Sequence, residues 1–174
     1  MTAKQLFTEK QYFRQVWVWI VLLSMNGYLI FALVKQAVLK QPLGARPKST
    51  EELVVGTAIV LLVTLLIAVI RLETEIKEDG VYYRFFPFQL KMKRIAWDRI
   101  SKAFVRQYKP LVEYGGWGIR IGIFGSGQAF NVSGNKGLQL IYDNGKKFLI
   151  GTQKPEALQM ALLQIGRLSN EGTN

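Results

Sequence analysis

The sequence predicts a membrane α hairpin joined to a small α+β domain: an antiparallel bent sheet or partial barrel of about seven strands, capped by a C-terminal helix. Three features point there. They are two uncharged apolar segments, a run of short alternating segments separated by turn residues, and one closing amphipathic stretch.

The apolar segments come first. Val16 to Val34, VWVWIVLLSMNGYLIFALV, carries no charge, and Leu53 to Ile70, LVVGTAIVLLVTLLIAVI, has only threonine as a polar side chain. Each approaches the roughly 18–20 residues that cross a hydrocarbon core of about 30 Å. A buried helix of a soluble protein is usually shorter and amphipathic. The first segment is too long for a cleavable signal peptide, and no small-x-small site follows it. Thr8 with Gln11, and Ser49 with Glu52, have the spacing of capping boxes, each opening a helix a little before its apolar run. Pro42 and Gly44 stop the first helix. Tyr12, Phe13, Trp17 and Trp19 gather at its start, where amphipathic rings favour the headgroup layer. The expected organisation is an N-terminal segment with two transmembrane helices over residues 1–71 (about 14–38 and 50–71), a sheet domain over 72–168, and a disordered polar tail over 169–174.

A two-helix hairpin puts both termini on one side. That side carries Lys4, Lys10, Arg14, Arg71, Lys77 and Arg84, against Lys35, Lys40, Arg46 and Lys48 in the connection. The excess places the termini and the sheet domain in the cytoplasm by the positive-inside rule. The absence of cysteine agrees with a reducing compartment.

From Arg71 the texture changes. Leu72 to Lys77 alternates apolar and polar residues, Glu78-Asp79-Gly80 turns the chain, and VYYRFF returns as a hairpin partner. Further strands are expected at Leu90 to Trp97, Lys102 to Tyr108, Trp117 to Ile123, Ala129 to Val132, Leu138 to Tyr142 and Lys147 to Gly151. Asp143-Asn144-Gly145 is a strong hairpin signal. After Pro155 the period changes, and Leu158, Ala161, Leu162 and Ile165 fall on one helix face.

The stretches EDGVYYRFFPF, RIAWDRISKAFVRQY, EYGGWGIR, AFNVSGNKG and LIGTQKPEAL, which cover most of Arg71 to Gly166, resemble small bacterial integral membrane proteins that carry a pleckstrin-homology-like domain behind a two-helix hairpin. The resemblance implies the fold and a location in the bacterial inner membrane. It implies little about activity, because such families are largely of unknown function and the fold hosts many roles. In eukaryotic domains of this fold, basic residues around the first hairpin grip an inositide headgroup. Here that hairpin turns through Glu78-Asp79-Gly80, whose acids repel phosphate.

Chemistry is sparse. No histidine or cysteine is present, which removes the commonest general base, the thiol nucleophile and most zinc sites. Ser133-Gly134-Asn135-Lys136 has the S-x-x-K spacing of serine–lysine acyl enzymes, but glycine, asparagine and flanking strands make it a turn rather than a catalytic helix. Eight of the sixteen glycines lie between 115 and 137 without a phosphate-loop pattern or a following helix. No catalytic residue, metal site or cofactor is expected, and membrane tethering argues against nucleic acid.

Binding remains. Residues 1 to 70 hold seven basic and three acidic residues, net +4, and residues 71 to 174 hold sixteen and nine, net +7. A basic domain tethered to an anionic leaflet gains on the order of 1 kcal/mol for each cation near the surface. Lys91, Lys93 and Arg94 are the densest basic run, with Lys91 and Lys93 on one strand face as headgroup contacts. Trp117, Arg120, Asn131, Asn135 and Lys136 form a second candidate surface at a sheet end; in the structural alternative the glycines of EYGGWGIR only let a strand bend, and Arg120 pairs with an acid such as Glu113 or points at water. The expected function is a non-enzymatic binding module at the cytoplasmic membrane surface, contacting a protein partner, a second copy or anionic headgroups. The alternative is an accessory or regulatory subunit of a membrane enzyme or transporter.

Overall fold

The computed structural model describes residues 4–41, 49–122 and 125–169. The chain divides into two compact units, Arg14–Val69 and the combination of Met1–Phe13 with Ile70–Asn174.

The first unit pairs α1 (Val16–Ala37) with α2 (Thr50–Val69). Both helices are long and apolar enough to cross a membrane, and most of their large apolar side chains are exposed. The Ser49–Glu52 capping box forms as the sequence suggests. Ser49 N donates to Glu52 Oε2 at 3.0 Å, and Glu52 N donates to Ser49 Oγ at 3.2 Å. Asn26 Nδ2 links the helices, donating to Thr64 Oγ1 at 2.8 Å as well as to Leu22 O at 2.7 Å. Pro42 and Gly44, expected to stop α1, lie outside the described residues.

The second unit is built from strands β1 (Gln5–Tyr12), β2 (Arg71–Lys77), β3 (Gly80–Phe86), β4 (Lys93–Ala96), β5 (Ile100–Gln107), β6 (Gly118–Ile121), β7 (Gln128–Asn131), β8 (Lys136–Tyr142) and β9 (Lys147–Gly151). Helices α3 (Pro110–Tyr114) and α4 (Pro155–Gln164) complete it. One sheet has the order β1-β2-β3-β4 and the other β5-β8-β9-β7-β6. Leu72, Ile76, Val81 and Phe85 of the first sheet meet Phe130, Leu138, Leu140, Phe148 and Ile150 of the second in one core. α4 buries Leu158, Ala161 and Leu162 into that core, packing on β1, β2, β5 and β8. The expected closing helix takes this place.

Several expectations need correction. Thr8 and Gln11 do not open a helix: they lie in β1, which pairs with β2 from Gln5↔Lys77 to Tyr12↔Arg71. The side chains of Phe7, Glu9 and Gln11 are buried, and the Glu9 carboxylate and the Gln11 amide nitrogen have partners, while Gln11 Oε1 has none among the described residues. Glu9 accepts from Thr152 Oγ1 at 2.7 Å and from Gln153 N at 2.9 Å, and Gln11 Nε2 donates to Gly151 O at 2.6 Å. The helix hairpin is therefore an insertion between two neighbouring strands, not a segment that precedes the sheet domain. Nor is the sheet wholly antiparallel: β9 returns from its hairpin with β8 to lie parallel to β7.

The strand expected over Leu90 to Trp97 is confined to Lys93–Ala96, because β3 offers β4 partners only from Gly80 to Tyr83. Beyond that point the β3–β4 turn occupies the edge itself, with Arg84 Nη1 donating to Leu90 O at 3.1 Å and Phe85 N to Gln89 Oε1 at 3.2 Å. Trp97 leaves the strand for a 3₁₀ turn and donates from Nε1 to Lys77 O at 2.9 Å. Ser169, expected to begin a loose tail, docks on β5 by donating its N–H to Ala103 O at 2.7 Å. Ile123, and the tail from residue 170, lie outside the described residues.

Candidate functional site

The EYGGWGIR stretch joins a helix to a strand. Pro110 sits in the first turn of α3, and Gly115 ends it with φ 67°, in the left-handed region where glycine has no Cβ penalty. Gly115 N donates to Leu111 O at 3.0 Å and Gly116 N to Pro110 O at 2.9 Å, which closes the helix C-terminus. The glycines therefore cap a helix and redirect the chain into β6; they do not bend a strand from within.

A polar cluster fixes this corner. Arg106 on β5 meets Glu113 through Nη2 and Oε2 at 2.7 Å, and its Nε donates to Gln139 Oε1 at 3.0 Å. Burial lowers the Arg106 pKa, but the Glu113 hydrogen bond and charge outweigh it and the value rises. Burial pushes the Glu113 carboxyl up, yet the Arg106 hydrogen bond and the Lys109 N–H, 2.7 Å from Oε1, hold it below its ordinary value. Glu113 is thus the partner of Arg106 and not of Arg120, whose Nε donates to Trp117 O at 2.9 Å.

The five residues of the second candidate surface separate into different roles. Asn131 is 0% exposed: its Oδ1 accepts from Gly118 N at 2.9 Å and its Nδ2 donates to Tyr108 Oη at 3.0 Å. It is a buried strut for β6, so it cannot meet a ligand at the surface. Trp117 Nε1 donates to Gly134 O at 2.9 Å, tying β6 to the β7–β8 turn. In that turn Asn135 accepts from Tyr108 N at 2.8 Å through its backbone carbonyl, and its side chain is exposed. Lys136 Nζ lies 3.5 Å from Glu156, while Ser133 Oγ accepts from Gln153 Nε2 at 2.6 Å. The S-x-x-K pair therefore engages separate partners. Of the five, only Trp117 and Arg120 reach a common concave surface.

That surface is a groove of ≈ 440 Å³ lined by Phe13, Ile70, Phe85, Phe88, Trp117, Gly118, Ile119 and Arg120. Phe85 is its floor and belongs to the core, its ring 5.8 Å from Phe130 and 6.1 Å from Phe88. Ile119 pairs with Phe130 across β6 and β7, so it continues the inner face of the second sheet to its edge. The groove is thus the open mouth between the sheets, at the end of the first sheet where β1 finishes and β2 begins. Phe88 is 61% exposed and Leu90, on the same turn, 71%.

The basic run stands beside this mouth but not on one strand face. Lys91 lies in the bend before β4, Lys93 opens the strand, and both are exposed. Arg94 points to the other face, where its Nε is 3.1 Å from Asp79 Oδ2 and its Nη2 donates to Asp79 O at 3.0 Å. Among the described residues Lys91 and Lys93 form no ion pair, and Arg94 does. Sequence reasoning missed the Phe13–Ile70–Phe88 wall, although Phe88 and Leu90 alternating with Lys91 and Lys93 was a readable signal. No known family model matches the chain, and no curated protein matches it.

Proposed function

We propose that this chain is a membrane-anchored binding module of the pleckstrin-homology-like kind, without catalysis of its own, acting at the cytoplasmic surface of a bacterial plasma membrane. The pairing of Tyr12 with Arg71 carries this reading. Because β1 and β2 are neighbours in one sheet, the chain that leaves through α1 must return through α2 to the same place. Two spans satisfy that geometry with the sheet unit on a single side. The excess of cations on that side favours the cytoplasm. There the exposed Lys91 and Lys93 are free to meet anionic headgroups, each contributing on the order of 1 kcal/mol near the surface. Tethering raises the local concentration of such a surface, so weak individual contacts suffice.

The absence of native cysteine makes the test direct. Gln41→Cys, just after α1, and Met160→Cys, exposed on α4, are expressed separately in bacterial cells and treated with a membrane-impermeant maleimide. Gln41→Cys should label in intact cells and Met160→Cys only after permeabilisation. Equal labelling of both from outside, or release of the full chain by alkaline carbonate, would defeat the reading.

A further inference from the structure

We infer that the mouth of the sheet unit is a membrane seat, in which Phe88, Leu90 and Ile119, backed by Phe13, Ile70 and Trp117, dip into the interfacial layer of the bilayer that α1 and α2 cross. This inference rests on the anchoring reading above and names the surface on which the module sits.

The argument is first one of chain length. Ile70 is bonded directly to Val69, the last residue of α2, and Phe13 precedes Val16, the first residue of α1, by three residues. A consecutive Cα pair spans about 3.8 Å, and three residues of extended chain reach at most about 11 Å. Phe13 and Ile70 are therefore joined to the helix ends by no more than that length of chain. Phe88, Trp117 and Ile119 line the same groove as these two tethered residues.

Composition supplies the second strand of evidence. Phe88 and Leu90 are 61% and 71% exposed although aqueous solvent disfavours both, and Ile119 is 43% exposed. Phe88 and Leu90 stand on one turn, and Phe88 and Ile119 line one groove, so these exposed side chains are grouped rather than scattered. The same turn continues through Lys91 and Lys93, and Arg120 stands at the groove rim. Apolar tips backed by an aromatic ring and followed at once by lysines match the layering of a bilayer interface, with acyl chains below, rings at the glycerol level and cations at the phosphates. A second copy of the chain would present the same cations and repel them, so the bilayer is the occupant that charge favours.

Single-cysteine variants Phe88→Cys, Leu90→Cys and Met160→Cys of the full chain, each carrying an environment-sensitive fluorophore, test the seat in vesicles of equal parts phosphatidylcholine and phosphatidylglycerol. Phe88, Leu90 and Met160 are all exposed, so the substitutions leave the core intact, and unchanged unfolding midpoints verify this. Labels at 88 and 90 should be quenched several-fold more by a nitroxide-bearing lipid, and several-fold less by aqueous iodide, than the label at 160. Iodide reaching 88 and 90 as readily as 160 overturns the proposal. So does shielding from both quenchers with label-to-label energy transfer that disappears on dilution with unlabelled chain, which would assign the face to a second copy. Loss of the chain from the vesicles in carbonate overturns the anchoring reading itself, whereas a retained chain with water-exposed labels overturns the seat alone.

Discussion

The Tyr108 hydroxyl accepts from Asn131 Nδ2 at 3.0 Å in surroundings that leave the residue 2% exposed. A phenolate there would have to leave water behind, so burial pushes the Tyr108 pKa up to about 12, with the Asn131 hydrogen bond pulling weakly the other way. The consequence for stability has a definite sign. Below the ordinary value of 10.0 the ring is neutral in both folded and unfolded chains and contributes no pH dependence. Above it the unfolded chain loses the proton while the folded chain keeps it, so stability falls by about 1.4 kcal/mol per pH unit until the folded ring also ionises. Burial raises Tyr142 to about 12 as well, so the two rings act in the same window. The unfolding midpoint of the full chain in detergent should therefore decline between pH 10 and 12, and Tyr108→Phe should make that decline shallower. An unchanged slope in the variant would show that the ring is not the titrating group. The same contacts explain why Asn131 misleads as a surface residue: an asparagine beside glycines reads as a loop ligand, while its two hydrogen bonds make it part of the interior.

At the scale of elements, Asn26 Nδ2 on Thr64 Oγ1 is a polar link between the middles of α1 and α2, and Gln36 Nε2 donates to Thr50 Oγ1 at 3.1 Å nearer their connected ends. Within hydrocarbon such a pair stabilises helix association by about 0.6 kcal/mol on average and up to about 2. A double-mutant cycle with Asn26→Val and Thr64→Val, read by reversible unfolding in micelles, should return a coupling in that range; strictly additive effects would mean the bond is absent in the folded hairpin. Neither residue is ionisable, and nothing in the sequence alone says that these two of the many helix positions face each other. Other elements were readable to different degrees for stated reasons. The Ser49–Glu52 cap, the β2–β3 and β8–β9 hairpins and α4 were legible because each is set by residues close in sequence. β1 was not, since its inward positions are Phe7, Glu9 and Gln11, and two polar residues erase the apolar alternation that marks a strand. Glu9 and the Gln11 amide nitrogen bond to residues 151 to 153, a relation between chain ends that no local pattern carries. α3 was missed despite Pro110 at its start and Gly115 at its end, because five residues are too few to show a period. The groove was half legible: Trp117 and Arg120 were found in one stretch, while Phe13 and Ile70 looked like mere flanks of the spans.

Taken whole, the molecule is a β domain whose first and second strands pair although a two-helix insertion separates them in the sequence. The pairing of Tyr12 with Arg71 leaves Phe13 and Ile70 as the last residues on either side, so the domain itself asks only for a tight turn between them. A two-residue Asn-Gly link in a type I′ turn matches the twist of an antiparallel pair. Replacing residues 14–69 by Asn-Gly should therefore give a chain that folds cooperatively and shows strand-rich circular dichroism, with the groove side still apolar. A fragment that instead starts at Ile70 lacks β1, and with it Phe7 in the core and the acceptors that Glu9 offers to Thr152 and Gln153. A buried donor left without an acceptor costs about 1–3 kcal/mol, and losing a core phenylalanine about 3–5 more, which together rival the whole stability of a small domain. That fragment should show no cooperative thermal transition where the Asn-Gly chain shows one. Equal, cooperative unfolding of the two would mean that β1 adds nothing to the domain, and the joining of the two-helix insertion to the sheet through Tyr12 and Arg71 would lose its physical basis.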